Sequence, residues 1–178
     1  GIVRKTVGGS PTTSDLWNAS QYLNLFVYNI GGGTLGFTYL PSYDPNNGVH
    51  ISYQYFGKTG TSAPYNKGRT ATHEIGHWFN LEHTWGDDGS ACSGSDYVSD
   101  TPNQASENYG CPGFPLTDAC TSTSPGVMFM NYEDYTDDNC MNMFTAGQKS
   151  RMISAINQWR SGLLNNGKCG TVNPTPPT

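Results

Sequence analysis

The chain has 178 residues, a formal net charge of -5 and only 13% charged residues. This length suits a single domain that can bury a core. The acidic balance argues against nucleic acid as a partner and provides no polybasic segment for a membrane surface. No apolar run approaches the ~20 residues that a transmembrane helix needs, so we expect no membrane span.

Three β-rich stretches in the first third of the chain predict strands. Residues 22–30 are bounded by three glycines, and we expect this strand to be central. Residues 35–40, which end before Pro41, predict the second strand, and residues 49–56 predict the third. A helix is predicted over residues 69–79.

The predicted helix carries His73, Glu74 and His77. Residues four apart on an α-helix lie only ~40° apart around its axis, so the two histidines face the same way and can share one metal ion. Glu74 projects beside them, where a general base would act. This spacing is typical of a catalytic zinc site.

His83 adds a third histidine six residues after His77. In a continuous helix it would point ~240° away from His77, so it can reach the metal only if the helix ends between them. Asn80 is the expected turn, because Asn tolerates the left-handed conformation better than most residues. Two alternatives to a catalytic site are a solvated helix that happens to carry histidines and a structural zinc site closed by a further ligand such as Cys. Neither alternative needs Glu74.

Residues 81–140 are dense in Gly, Pro, Asp and Ser with little periodicity, and we expect irregular structure there. Residues 146–164 predict a closing amphipathic helix, and residues 165–178 resemble a linker tail. The closing helix places five apolar side chains at helical spacing, which we expect in the core: Met152, Ile153, Ile156, Trp159 and Leu163.

Five cysteines, at positions 92, 111, 120, 140 and 169, all follow the histidine motif. None forms a Cys-x-x-Cys pair, so disulfides in an oxidising compartment are favoured over a second zinc site. The sequence alone allows three pairings of the first four. We expect Cys169 to be left over.

The segment HEIGHWFNLEHTWGD, residues 73–87, resembles the metzincin zinc peptidases, specifically their pappalysin branch, with Asn80 where the usual pattern has Gly. The resemblance covers roughly residues 20–160 in the same order. Beyond the motif it is carried by residues 96–102, 108–112, 131–140 and 144–148.

This resemblance implies an α+β metzincin-type catalytic domain over residues 1–164. Residues 1–83 would form a twisted mixed sheet backed by the zinc-binding helix, and residues 84–164 an irregular, disulfide-stapled subdomain with the closing helix. The 35–40 strand would form the rim that pairs with an extended substrate. Relatives normally carry another helix and two strands before the 22–30 strand, so the enzyme is unusually short, or that part is missing or lies on another chain.

The implied function is that of a secreted zinc-dependent endopeptidase acting on proteins or peptides. His73, His77 and His83 would hold the zinc, Glu74 would be the general base, and Tyr135 would donate a hydrogen bond to the oxyanion. Because the chain begins without Met, its leader and any propeptide are expected outside the printed sequence. His50 has no spaced partner and is expected to be uninvolved.

The position of the metzincin Met-turn methionine falls on Glu133, whereas Met130 lies three residues earlier. A carboxylate there could accept a histidine N–H or occupy the open metal position, which would silence the enzyme. The alternative function is therefore a catalytically impaired zinc domain that serves as a binding module.

By the same resemblance, Asp138 would lie at the base of the pocket for the residue after the scissile bond. A carboxylate there pairs better with guanidinium than with ammonium. Cleavage is then expected on the N-terminal side of Arg or Lys, with Arg preferred.

The resemblance further implies the disulfides Cys92–Cys120 and Cys111–Cys140. It also supports a structural calcium ion in a turn-rich segment that clusters oxygen donors. The expected calcium ligands are Asp96, Val98, Asp100 and Thr101.

Overall fold

The computed structural model describes residues 9–44, 47–58 and 62–165, which form a small sheet and three α-helices. In chain order the elements are β1 (Leu25–Tyr28), β2 (Gly36–Phe37), β3 (Val49–Ser52), α1 (Arg69–Trp78), α2 (Ala146–Trp159) and α3 (Gly162–Asn165). No helix in these ranges has both the length and the apolar character needed to cross a membrane.

β3 lies between the other two strands, parallel to β1 and antiparallel to β2, so the sheet is mixed. The prediction of a central 22–30 strand is wrong for the described residues, because β1 is an edge strand. Leu25 and Val27 on β1 are 38% and 41% exposed, whereas Val49 and Ile51 on β3 are fully buried. β-propensity reveals a strand but not its neighbours.

A hydrophobic core forms between β3 and α1. Val49, Ile51 and Trp78 are fully buried and pack together. Burying three such side chains contributes roughly 1.5–3 kcal/mol each. α1 is therefore fixed on one face of the sheet with the histidine motif at its C-terminal half.

The closing helix ends earlier than predicted. α2 stops at Trp159 and α3 begins at Gly162, because the side chain of Arg160 turns into the protein. Its Nη2 atom donates to Asn47 Oδ1 at 2.9 Å, and its guanidinium lies 4.2 Å from the ring centroid of Trp78. Ile153, predicted to be in the core, is 48% exposed.

Residues 81–145 contain no helix or strand, as expected, and only two isolated β-bridges. Two disulfides close this half, Cys92–Cys120 and Cys111–Cys140, which are the pairs that the resemblance implied. The predictions for Cys169 and for most of the tail concern residues outside the described ranges.

Candidate metal centre

α1 ends at Trp78, and the chain turns at Asn80, as the sequence predicts. Asn80 has a φ of 72°. Its N–H donates to His77 O at 2.8 Å, and the N–H of Leu81 donates to Gly76 O at 3.0 Å. These two bonds form a Schellman cap, which reverses the chain and returns His83 to the face that carries His77.

The Nε2 atoms of the three histidines converge. His77 Nε2 lies 3.0 Å from His73 Nε2 and 3.2 Å from His83 Nε2. Within the described residues these three side chains form the group able to hold a metal ion, with ligand atoms within 4.8 Å of one another. Glu133 and Asp87 do not belong to this group.

The hydrogen bonds of the opposite ring nitrogens set the tautomers. His73 Nδ1 lies 2.7 Å from Tyr132 O, and His77 Nδ1 lies 2.8 Å from Leu81 O. A carbonyl can only accept, so each Nδ1 carries the proton and each Nε2 presents a lone pair. Lone pairs this close repel each other unless a cation lies between them, so the residues fit a zinc ion.

The electrostatics of the site favour neutral imidazoles. Burial, and then the neighbouring histidines, hold the pKa of His73 well below its usual range. Burial and His83 lower the pKa of His77 to about 4. Neutral imidazole is the form that binds zinc, so these rings are ready to bind without losing a proton first.

Glu74 is buried beside the ligands and against the sheet. A Cβ added at Gly36 of β2 would lie 2.9 Å from Glu74 Cγ, so the missing side chain makes room for this glutamate. Burial raises the pKa of Glu74 to about 8. A carboxyl with a pKa near neutrality can both accept and return a proton.

Tyr135 also lies next to the histidines. Its hydroxyl is 3.2 Å from His83 Nε2, and its ring meets Trp85 edge to face at 4.8 Å. Burial, and then the charges of Asp87 and Glu74, raise its pKa above the usual range. The hydroxyl therefore stays protonated and can donate a hydrogen bond at this point.

Glu133 lies beneath the histidines, at the position predicted for it. Its Oε2 atom is 3.6 Å from His73 Nδ1 and 3.5 Å from His77 Nδ1, and neither oxygen has a hydrogen-bond partner among the described residues. A Cβ at Gly76 would overlap the Glu133 carboxyl. The glutamate thus fills a space left by the helix glycine, next to the Nδ1 atoms.

A cavity of about 300 Å³ opens beside the histidines. Residues 33–36, which lead into β2, border it, and three carboxylates line it, those of Glu74, Asp134 and Asp138. Arg69 also lines it, with its guanidinium carbon 5.1 Å from the ring centroid of Tyr132.

Asp134 and Asp138 differ in how their oxygens are used. Both oxygens of Asp134 accept hydrogen bonds, from Asn108 among others. For Asp138, the hydrogen bonds found within the described chain end on Oδ2, which accepts from the backbone N–H groups of Lys67 and Arg69 at 2.6 and 3.2 Å. Asp138 thus stabilises the start of α1 and also borders the cavity.

The model of peptidase family M43, described as pregnancy-associated plasma protein-A, matches residues 9–157. The chain belongs to this family. Two fungal relatives are extracellular metalloproteases of Sordaria macrospora, 42% identical over 149 residues, and of Neurospora crassa, 44% identical over 151 residues. Each alignment covers 78% of this chain and 50% of the relative, so the chain spans about half the length of these curated relatives.

Solved structures show the same fold. Mature mirolysin of Tannerella forsythia in complex with a cleaved peptide has a TM-score of 0.78 and 52% identity, over 84% of this chain and 60% of that chain. A promirolysin mutant from the same organism has a TM-score of 0.78 and 54% identity, over 83% of this chain and 50% of that chain. This chain therefore has a mirolysin-like α+β metzincin fold.

The residues predicted to bind calcium are engaged with the chain itself. Asp96 Oδ2 accepts from the Thr101 hydroxyl at 2.6 Å, and that hydroxyl also contacts the carbonyl of Val98 at 2.8 Å. Asp100 instead accepts from Thr145 and from the Gly147 N–H at the start of α2. Calcium stays a prediction, which thermal melts with calcium and with a calcium chelator would test.

His50 lies apart from the M43 site, stacked on Phe37 at 4.4 Å. The residues that sequence reasoning missed are those around His83. Trp85 stacks on the His83 ring at 4.2 Å, and Asp87 lies 2.8 Å from its Nδ1 atom. The Gly86-Asp87 pair after Trp85 is typical of a turn, and such a turn could have indicated that Trp85 and Asp87 lie close to His83.

Proposed function

We propose that this chain is the catalytic part of a secreted zinc-dependent endopeptidase. The observation that carries the proposal is the convergence of three Nε2 atoms beside the buried carboxyl of Glu74. Membership of a peptidase family and relatives named extracellular metalloproteases support it. Its substrates would be proteins or peptides.

His73, His77 and His83 would hold the zinc ion, which would supply Lewis-acid chemistry for a water molecule and for the scissile carbonyl. Glu74 then takes the proton of the attacking water on its carboxylate and passes it to the leaving amine. The Tyr135 hydroxyl donates a hydrogen bond to the oxygen on which negative charge develops. The edge of β2, which borders the cavity, pairs with the extended backbone of the substrate.

The first test replaces Glu74 by Gln and measures casein cleavage and zinc content together. We expect activity to fall by roughly 10²–10⁴-fold while one zinc remains bound, because a general base is lost and no ligand is removed. Wild-type protein treated with a zinc chelator is the control for metal dependence. Near-normal activity in the variant would refute the mechanism.

We further propose that cleavage occurs on the N-terminal side of Arg or Lys. Asp138 supports this, because it borders the cavity and its described hydrogen bonds occupy Oδ2. The remaining oxygen would accept a hydrogen bond from a substrate guanidinium or ammonium, so both Arg and Lys fit this position, and the expected preference for Arg is tested by the same experiment.

New N-termini in a digested proteome extract test this specificity. Enrichment of Arg and Lys at the first new residue is expected for wild type and should disappear in Asp138→Asn, which removes the charge but keeps an acceptor for α1. Asp137→Asn changes the neighbouring charge and serves as the matched control. No enrichment in wild type would reject the proposal.

Glu133 is the residue that raises the second candidate function, a catalytically impaired binding module. Its carboxyl lies 3.5–3.6 Å from the Nδ1 atoms of His73 and His77 and is not part of the metal-binding group. This arrangement leaves the Nε2 side to zinc and favours the peptidase. An inactive wild-type protein that gains activity in Glu133→Met would instead support the binding module.

A further inference from the structure

His83 differs from the other two histidines in its support. His73 and His77 lie on α1, whereas His83 lies on a turn. The N–H of Gly86 donates to His83 O at 3.0 Å, and Gly86 and Asp87 have φ values of +68° and +51°. Such a turn does not fix an imidazole ring by itself, so other contacts must set the ring orientation.

The Nδ1 partner of His83 is a side chain rather than a backbone carbonyl. The two carboxylate oxygens of Asp87 lie 2.9 and 2.8 Å from His83 Nδ1. His73 and His77 use the carbonyls of Tyr132 and Leu81 for the same purpose. The support of the third histidine can therefore be removed by one substitution that leaves the backbone unchanged.

We infer that Asp87 is the positioning residue of the third zinc ligand. Its carboxylate accepts a hydrogen bond from the Nδ1–H of His83, which fixes the tautomer and directs Nε2 towards the Nε2 atoms of His73 and His77. The Trp85 ring, stacked 4.2 Å from the His83 ring and nearly parallel to it, prevents the imidazole from tilting. A carboxylate in this position also increases the basicity of the ligand.

The local backbone explains why Asp suits this position. A positive φ is tolerated by Asp and Asn far better than by other residues with side chains. Gly86 is required before it, because a Cβ there would lie 2.6 Å from the carbonyl carbon of Gly94. The Asp87 side chain is 55% exposed, so it contributes little to the core and acts chiefly on His83.

The inference rests on the proposed zinc site, and zinc affinity tests it directly. Asp87→Asn keeps the side-chain shape and the tolerance for positive φ but removes the charge. Titration of the metal-free variant with zinc against a coloured chelator should show affinity weaker by roughly 10–100-fold, which is typical for loss of a carboxylate partner of a ligating histidine. Asp87→Glu, which retains a carboxylate, should recover part of this loss.

Asp88→Asn is the matched control. Asp88 is adjacent, and its carboxylate holds the same loop through the N–H groups of Ala91, Ser93 and Gly94. We expect this variant to bind zinc as wild type does. The visible spectrum of bound cobalt should change in Asp87→Asn and stay unchanged in Asp88→Asn, because only the first alters a ligand's surroundings.

Four results would overturn the inference. Wild-type affinity in Asp87→Asn would show that the carboxylate is dispensable. Equal losses in Asp87→Asn and Asp88→Asn would assign the effect to the loop, and a much lower melting temperature of metal-free Asp87→Asn would assign it to the fold. Wild-type protein that binds no zinc would refute the proposed site as well, which separates the two failures.

Discussion

At the scale of single residues, the carboxyl of Glu133 lies fully buried without a hydrogen-bond partner in the described chain. Burial, and then the nearby carboxylates of Glu74, Asp96 and Glu82, raise the pKa of Glu133 well above its usual range. In the metal-free protein this carboxyl is therefore neutral, but it still lacks the partners that it had in water. Such a group destabilises the fold.

Glu133→Met should stabilise the metal-free protein. Methionine has a similar volume and no polar atoms to desolvate, and a buried polar group without a hydrogen-bond partner costs about 1–3 kcal/mol, which the variant should regain. Urea unfolding in the presence of a zinc chelator measures the change. A lower free energy of unfolding in the variant would mean that Glu133 has partners essential to the fold.

The same substitution should change the pH dependence of stability. A carboxyl whose folded-state pKa is raised binds more protons folded than unfolded, so its contribution is present below the unfolded pKa and is lost as pH rises above it. Metal-free wild type should therefore lose stability from about pH 4.5 upward, relative to Glu133→Met. A constant difference between the two proteins across pH 4.5–8 would contradict this expectation.

Among residues, the sequence predicted those whose roles depend on local spacing. His73, Glu74 and His77 follow from helical geometry, and His83 follows from the turn at Asn80. Glu133 lies under α1 because of contacts with residues about 60 positions earlier in the chain. The sequence alone therefore did not show whether its carboxyl would reach the open metal position. The support that Asp87 gives to His83 was missed, although it is only four residues away.

At the scale of elements, Asn80 decides where α1 ends. Its φ of 72° lies in the left-handed region, and its Oδ1 atom is buried without a partner in the described chain. The sequence predicts this end because a residue preference is local. The sequence does not predict the break after α2, because this break depends on the contact of Arg160 with Trp78, which is distant in the chain. It also does not predict that Leu25 and Val27 on β1 are exposed.

Asn80→Gly and Asn80→Ala should have opposite effects. Glycine adopts the left-handed conformation freely and removes the buried, unpaired Oδ1 atom, so this variant should be at least as stable as wild type. Alanine should cost about 1–2 kcal/mol, because its Cβ is disfavoured at positive φ. Urea unfolding of both metal-free variants measures the difference, and equal stabilities would show that the turn is not strained.

At the scale of the whole molecule, the lower half, residues 81–145, is held by disulfides and by side-chain contacts rather than by helices or strands. Residues 81–145 form no helix or strand, and the two disulfides close loops with separations of 28 and 29 residues. The backbone carbonyl of Tyr132, in this half, accepts a hydrogen bond from His73 Nδ1. The stability of the lower half therefore also affects the order of the metal centre.

Replacing either cysteine pair by alanine should lower the free energy of unfolding by roughly 3–4 kcal/mol, on the chain-entropy account of loops of this length. Because the separations are nearly equal, the costs of losing Cys92–Cys120 and Cys111–Cys140 should also be nearly equal. Denaturant unfolding of each double variant, compared with wild type, tests this. A negligible cost for either pair would show that its loop is already ordered in the unfolded chain.

Gly36 lies on β2 and Gly76 lies on α1, and the absence of their side chains creates the space that Glu74 and Glu133 occupy. A conventional alanine scan, which truncates side chains, treats alanine as the small and harmless residue. At these two positions alanine is the large residue, and Gly36→Ala and Gly76→Ala insert a methyl group into an occupied volume. A scan that leaves glycines unchanged would overlook the two positions that shape this site by what they lack.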